Sequence, residues 1–273
     1  MKFAQQHAII TGGSSGIGKA TAILLAKQGA NISIIARRSA QLEAAKAEIR
    51  AAQMSENQRV ITISADVAIQ KQAETAMKNA IAQLGSPQLL ITSAGIAHPG
   101  YFQALPLEIF EQTMAVNYFG TLYCLKAVLP SMIKNSQGHI VLISSGAGLI
   151  GIYGYTAYSP SKFALRGLAE SLQGELIPYG IKVSIVYPPD TNTPQFIAEN
   201  ETKPVETKAI TATAKLWQAD DVARVIIQGI ERNALIITPG LEMTLLAKFH
   251  SLFAPIINLY FDKIISKFAC QNR

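Results

Sequence analysis

The chain has 273 residues, 49% of them hydrophobic and 15% charged, with a formal net charge of +6. These proportions suit a folded α/β domain and exclude a disordered or repeat protein; the Lys and Arg residues are dispersed, which argues against a nucleic-acid partner and leaves attraction to anionic lipid headgroups. Two cysteines, Cys124 and Cys270, give no disulfide framework, so a reducing cytoplasm is expected.

The N-terminus, M-K-F-A-Q-Q-H, enters a strand without the apolar core of a secretory signal, and no cleaved leader or N-terminal membrane span is expected. His7 to Ile10 is a short apolar run, followed by T-G-G-S-S-G-I-G, Thr11 to Gly18, and a helical pattern through Leu25. Strand, glycine turn and helix in that order form a dinucleotide site: glycines let the backbone approach a pyrophosphate, and the helix N-terminus supplies partial positive charge. Gly12, Ser14, Ser15, Gly16, Ile17 and Gly18 are the candidate contacts. Gly12 to Gly16 also matches G-x-S-x-G, a hydrolase nucleophile elbow, but no His follows in a convincing place and the motif sits on the first strand.

Asn31 to Ala36 is a second strand ending in Arg37 and Arg38. An acid at this corner would bind the 2′-hydroxyl of NAD, whereas arginine suits a 2′-phosphate, so the expected cofactor is NADPH. Arg37 is the main contact, and Arg38 either faces the adenine or covers the surface. A helix from Ala40 to Gln53 precedes the third strand, Val60 to Ser64, after which Asp66 and Val67 read the adenine edge or Asp66 caps a helix. The helix Gln70 to Leu84 leads to the fourth strand, Gln88 to Thr92, closed by the small residues Ser93, Ala94 and Gly95, against which a ribose or nicotinamide would lie.

Leu107 to Ile133 reads as one long apolar helix with Asn117 in its middle, an amide that needs a backbone or water partner or holds a water for proton relay. A fifth strand, His139 to Ile143, delivers Ser144 and Ser145 to a glycine-rich loop, and the next helical stretch carries Tyr158 and Lys162 and continues from Phe163 to Ile177. Four residues are one helical turn, so phenol and ammonium share a face, and the ammonium is expected to lower the phenol's pKa. Such a tyrosine exchanges a proton with an alcohol or ketone whose oxygen Ser145 holds. Pro160 lies between the two and makes the one-turn spacing less secure. The apolar outer faces of these two long helices suggest a homodimer or homotetramer.

Lys182 to Tyr187 is a sixth strand running into P-P-D-T-N-T-P, a stiff turn that offers Thr191 and Thr193 to the carboxamide and phosphates. Gln195 to Trp217 is polar and aperiodic, as lids often are. A helix from Asp220 to Gln228 and a seventh strand, Ala234 to Ile237, complete a doubly wound parallel (Rossmann) sheet over residues 1–240. The remaining 241–273 form an amphipathic tail, with Leu245, Leu252, Ile256 and Tyr260 at helical spacing and Lys248, Lys263 and Lys267 beside them. It is too interrupted to span a bilayer and is expected to lie in a membrane interface, with its own domain or a partner subunit as alternatives. No metal site is expected.

With T-G-G-S-S-G-I-G, Asp66, S-A-G, Asn117, Ser145 and Tyr158-x-x-x-Lys162 in order, the chain resembles the short-chain dehydrogenase/reductase family over about its first 240 residues. The resemblance implies Asn117, Ser145, Tyr158 and Lys162 as a catalytic tetrad, with Tyr158 the proton donor in reduction and Ser145 preferred to Ser144. Two departures stand out: T-S-A-G at Thr92 to Gly95 where the family has N-N-A-G, and Pro189 where it has glycine. Y-P-P-D-T-N-T-P, A-Y-S-P-S-K-F-A-L-R-G-L-A-E-S-L and T-K-P-V-E-T resemble the branch that reduces a long-chain 2-amino-3-ketone of sphingolipid synthesis with NADPH. On that reading Asp190, the only acid in its turn, pairs with the substrate ammonium or only closes an Asx turn. Another lipophilic ketone or alcohol (steroid, retinoid, acyl chain) and a non-catalytic cofactor-binding regulator are the alternatives.

Overall fold

The computed structural model describes residues 2–212 and 214–269, so Cys270 lies outside the described residues. Strands form where apolar, β-branched runs are bounded by turn residues: β1 (His7–Thr11), β2 (Asn31–Ala36), β3 (Val60–Ser64), β4 (Leu89–Thr92), β5 (Gly138–Ile143), β6 (Ile181–Val186), and the short β7 (Thr191–Asn192), β8 (Trp217–Gln218) and β9 (Ile236–Ile237). Between them run α1 (Gly16–Ala26), α2 (Ser39–Ala51), α3 (Gln70–Leu84), α4 (Leu107–Met114), α5 (Gly120–Lys134), α6 (Tyr158–Leu176), α7 (Pro194–Thr202), α8 (Val205–Thr211), α9 (Ala219–Glu231) and α10 (Leu241–Ala269).

Seven strands make one parallel sheet in the order β3-β2-β1-β4-β5-β6-β9. The order reverses between β1 and β4, so the chain leaves those two strands in opposite directions and a crevice opens at their carboxyl ends. Both faces are covered, which is why the strands read as continuous apolar runs. Side chains alternate between the faces: Ile9, Leu90, Ile140 and Leu142 pack with α3, α5 and α6, whereas Ile10, Ile91, Val141 and Ile143 pack with α1, α2 and α9.

Four elements differ from their sequence reading. Leu107 to Ile133 is not one regular helix: a π turn, Ala115–Phe119, separates α4 from α5 and contains Asn117. Residues 195–217 are largely helical, because Thr193 caps α7 by accepting from the Phe196 N–H at 3.2 Å and Pro194 fills the first helical position. This segment is tethered at both ends, since β7 and β8 pair with each other in parallel. Asp66 caps no helix; its Oδ1 accepts from the Ala68 N–H at 3.0 Å in the turn before α3. Pro160 causes no break, because α6 begins at Tyr158 and proline is tolerated in a first turn.

The tail helix α10 is kinked at Phe249, whose φ is −127°. Its first part packs against α8 and buries Ala247. Beyond the kink Leu252, Ile256 and Leu259 are 70%, 65% and 70% exposed. No helix among the described residues is long and apolar enough to cross a membrane.

Two histidines tie the sheet together from inside. Nδ1 of His7 lies 2.7 Å from the Gly85 carbonyl and must donate to it, so Nε2 accepts from the Ser33 hydroxyl at 2.8 Å. Ser184 gives its proton to the Ala234 carbonyl, so His139 Nε2 donates to Ser184 Oγ at 2.7 Å. Burial lowers each imidazole from 6.5 to about 4. The unfolded chain therefore binds more protons between those values, and the stabilisation from neutral imidazoles, present above pH 6.5, is lost as pH falls toward 4. The unfolding free energy from denaturant titration should drop across that window, by up to about 3 kcal/mol per histidine, and the His7→Asn, His139→Asn double variant should flatten the slope. A wild-type value constant across the window would contradict this.

Candidate active site

The glycine turn after β1 is shaped by contacts that leave no room for a side chain. A Cβ on Gly12 would stand 2.7 Å from the Ala94 nitrogen, one on Gly13 2.5 Å from the Ile34 side chain, and one on Gly18 2.4 Å from the Gly12 carbonyl oxygen. Gly12 and Gly16 also have φ of +67° and +52°, which side-chain-bearing residues rarely adopt. Ser15 precedes α1 in an extended conformation with no side-chain cap bond, and no acid lies in the first turn. The amides of a helix N-terminus therefore face the crevice with nothing of the chain's own neutralising them, as an anion requires.

A cavity of about 520 Å³ runs from this turn across the carboxyl ends of the strands. Gly12, Ser14, Ser15, Gly16 and Ile17 line one end, whereas Gly18 lies behind the turn and closes α1 onto it. Arg37, Arg38, Asp66 and Val67 line the corner beyond β2 and β3. Arg37 is half-exposed, and its guanidinium stands 3.9 Å from the Asp66 carboxylate, an outer-limit ion pair. Ala94 and Gly95 form the floor, and Thr191 and Thr193 reach the wall from the segment after β6. Thr193 lies across the glycine turn, its methyl 3.0 Å from where a Gly16 Cβ would be. Glycine cradle and uncapped helix together fit the pyrophosphate of a dinucleotide.

At the other end Tyr158, Lys162 and Ser145 come together. Lys162 is buried and donates to the Ile143 carbonyl at 3.0 Å, and its ammonium lies 5.5 Å from the Tyr158 ring centroid. Burial lowers Lys162 from 10.5 to about 8, with Glu199 opposing the shift. The expectation that Lys162 makes Tyr158 acidic is not met in this geometry. Burial and the Glu199 and Asp190 carboxylates raise the phenol's pKa, and only the polar side chains of Ser145 and Gln195 act against them. Tyr158 is therefore protonated at neutral pH, as a proton donor must be.

The two serines are sorted by their bonds. Ser144 is buried and donates to the Lys162 carbonyl at 3.0 Å, which fastens α6 to β5. Ser145 lies beside the phenol, accepting from the Ala147 N–H at 3.2 Å and retaining its own proton. Asn117 does not line the cavity. Its side chain exchanges two hydrogen bonds with the Ile96 backbone, at 2.9 and 3.0 Å, and donates to Ser161 Oγ at 2.9 Å. It fixes the strand end that carries Gly95 to the helix that carries the tyrosine and lysine.

Sequence reasoning missed the wall opposite. Gln195, Glu199 and Tyr155 line the cavity, with Lys203 buried behind them. Tyr155 donates to Glu199 at 2.8 Å and Gln195 donates to its other oxygen at 2.8 Å. Gln195, Glu199 and Lys203 are four apart, a helical face readable once the T-P start of α7 is recognised. Asp190 also lines this wall; burial raises its carboxyl and Lys203 opposes. Cys124 is remote from these groups, and burial pushes its thiol up to about 12, an inert form.

The family model described as short chain dehydrogenase matches residues 6–204. A 3-dehydrosphinganine reductase of Danio rerio is 45% identical over 229 residues, covering 84% of this chain and 69% of the relative. A 3-ketodihydrosphingosine reductase of Bos taurus is 41% identical over 254 residues, 93% of this chain and 76% of the relative. Among solved structures, a levodione reductase superposes with a TM-score of 0.78 at 25% identity over 86% of this chain and 96% of its own. A short-chain dehydrogenase/reductase from Burkholderia phymatum in complex with NAD reaches 0.82 at 23% identity over 94% and 96%.

The cradle predicts a contrast between two glycines. Gly12→Ala places a methyl against the Ala94 backbone and should weaken dinucleotide binding at least about tenfold in fluorescence titration, whereas Gly151→Ala, with nothing within 4 Å, should leave it unchanged. Equal affinities in both variants would mean the turn is not the binding site.

Proposed function

This chain belongs to the short-chain dehydrogenase family, and on that premise we propose that it reduces 3-ketodihydrosphingosine, a long-chain 2-amino-3-ketone, to dihydrosphingosine with NADPH. The family assignment makes it an oxidoreductase with a nicotinamide cofactor; substrate and phosphate preference are the finer reading. One arrangement carries it: a protonated phenol and a buried ammonium one helical turn apart, with a hydroxyl beside them, at the end of a dinucleotide cradle. The relatives named for this substrate are similar to the chain over most of its length.

Residues around Gly12 and Gly16 would hold the pyrophosphate of the cofactor, and Arg37, with Arg38 beside it, the 2′-phosphate. When bound, the cofactor supplies a hydride to the ketone carbon. Ser145 and Tyr158 donate hydrogen bonds to the ketone oxygen, which polarises it and fixes its position. Tyr158 then yields its proton to that oxygen as it becomes an alkoxide. Lys162, charged below about pH 8, is the nearby store from which the phenolate's proton is restored. Asn117 is a positioning residue in this scheme, and Ser144 holds α6 in register.

A lipid substrate gives the tail a purpose. The exposed Leu252, Ile256 and Leu259 stripe, with Lys248 and Lys263 on the same helix, suits the interface of an anionic cytoplasmic membrane, where a peripheral enzyme meets its substrate. The exposed Phe119 on the π turn, Phe163 on α6 and Ile177 at its end supply the contact for a homodimer or homotetramer.

Purified protein with NADPH and 3-ketodihydrosphingosine should consume NADPH absorbance, and Arg37→Ala should reduce the preference for NADPH over NADH by about 10- to 100-fold, the worth of a charge-assisted hydrogen bond. Turnover of a steroid or retinoid ketone in place of the amino ketone would move the assignment to another lipophilic substrate. In sedimentation with anionic vesicles the wild-type chain should pellet, and the Leu252→Ser, Ile256→Ser, Leu259→Ser variant should stay in solution. Equal pelleting of the two would refute the interfacial tail.

A further inference from the structure

We infer that Glu199 is the specificity residue that receives the substrate's ammonium and so selects a 2-amino ketone over a plain one. The inference rests on the reductase reading above. Glu199 is a buried carboxylate in the cavity wall, and its partners leave it incompletely satisfied. An ionised carboxylate accepts at about four lone-pair sites. Here Tyr155 and Gln195, both neutral donors, fill one on each oxygen. Lys203 stands 4.0 Å from Oε2, an outer-limit ion pair, because its ammonium is drawn over the Phe196 ring, 4.5 Å from the centroid. The same lysine faces Asp190, so two carboxylates on this wall share one cation. A buried carboxylate that lines the cavity with only two neutral donors has acceptor capacity to spare, and a cation bound there would offset its desolvation.

Position agrees with chemistry. Tyr155 and Tyr158 have ring centroids 5.6 Å apart, and Gln195, bonded to Glu199, also faces the Tyr158 phenol. In a 2-amino-3-ketone the nitrogen is on the carbon next to the carbonyl. With the ketone oxygen at Tyr158 and Ser145, the ammonium would lie on the side of Tyr155 and Gln195, the two residues that bond Glu199. Asp190 is the weaker candidate: the Glu199 charge acts more strongly on Tyr158 and reaches Lys162, whereas Asp190 acts less on the phenol. There is a catalytic corollary. A bound ammonium neutralises the carboxylate that holds the phenol's proton most tightly, so Tyr158 becomes a better acid only for the substrate that carries the charge.

The test compares kcat/KM for the amino ketone with that for its analogue bearing hydrogen in place of the amino group, in wild type, Glu199→Gln and Asp190→Asn. NADPH binding serves as a check of folding, and Glu199→Met is the second variant should the amide fail that check. Wild type should favour the amino ketone, and Glu199→Gln should lose roughly 100-fold on it, as for a truncated buried charge pair, while losing far less on the analogue. If Glu199→Gln keeps the wild-type ratio, or loses both substrates equally as a mere fastening of α7 would, the inference is overturned. Loss of the ratio in Asp190→Asn alone would transfer the role to Asp190 and overturn it as well. A wild type that turns over the amino ketone no better than the analogue would instead strike at the substrate assignment itself.

Discussion

An ammonium buried beside a phenol is the constraint on which the rest of this structure depends. Removing a lysine charge from water costs several kcal/mol unless the surroundings compensate, and the only hydrogen bond from Lys162 among the described residues goes to the Ile143 carbonyl. Its pKa falls accordingly to about 8, the range where a lysine can give up a proton near physiological pH. Keeping it in place requires β5 and α6 to be locked together. Ser144 on the Lys162 carbonyl and the absent side chain of Gly148, where a Cβ would lie 2.9 Å from that same carbonyl oxygen, accomplish this locally. The amide of Asn117 ties α6 in turn to the end of β4, through Ser161 and the Ile96 backbone.

The second organising feature is the segment over the cavity. Helices α7 and α8 are held at their ends by the β7–β8 pair and along their length by side-chain bonds to the loop before α6: Tyr155 to Glu199, and Thr207 to the Tyr153 carbonyl at 2.8 Å. Tyr101 adds a bond to Glu206 at 3.0 Å. The groups that close the site are thus the groups that set its electrostatics, because Glu199 faces both Tyr158 and Lys162. Protonation of the phenol, which suits reduction, follows first from burial and is reinforced by this wall.

Much of this was legible in the sequence, for physical reasons that can be named. Strands buried on both faces announce themselves as apolar runs, and glycines at Gly12 and Gly16 mark backbone that other residues cannot adopt. Tyr158 and Lys162 were readable because one helical turn fixes their relation. The wall was not legible because its polar residues are buried by tertiary contacts, and a polar aperiodic stretch reads as a loop; the T-P pair opening α7 was the one local signal. The direction of the phenol's acidity was misjudged for a related reason. Spacing along a helix reports the lysine four residues away but not the carboxylates delivered from another element. The π turn around Asn117 is equally invisible to periodicity, since one extra residue per turn does not disturb an already apolar pattern.

The central claim, that Lys162 is a buried proton store for Tyr158, is tested most directly by the pH profile of kcat for ketone reduction at saturating NADPH, in wild type and Lys162→Met. The account predicts a wild-type rate that is level at lower pH and falls as pH rises through about 8, where the ammonium is lost. The variant should be slower by about a hundredfold or more and lack that transition. A wild-type profile flat through this range, or a variant that retains both rate and transition, would contradict it.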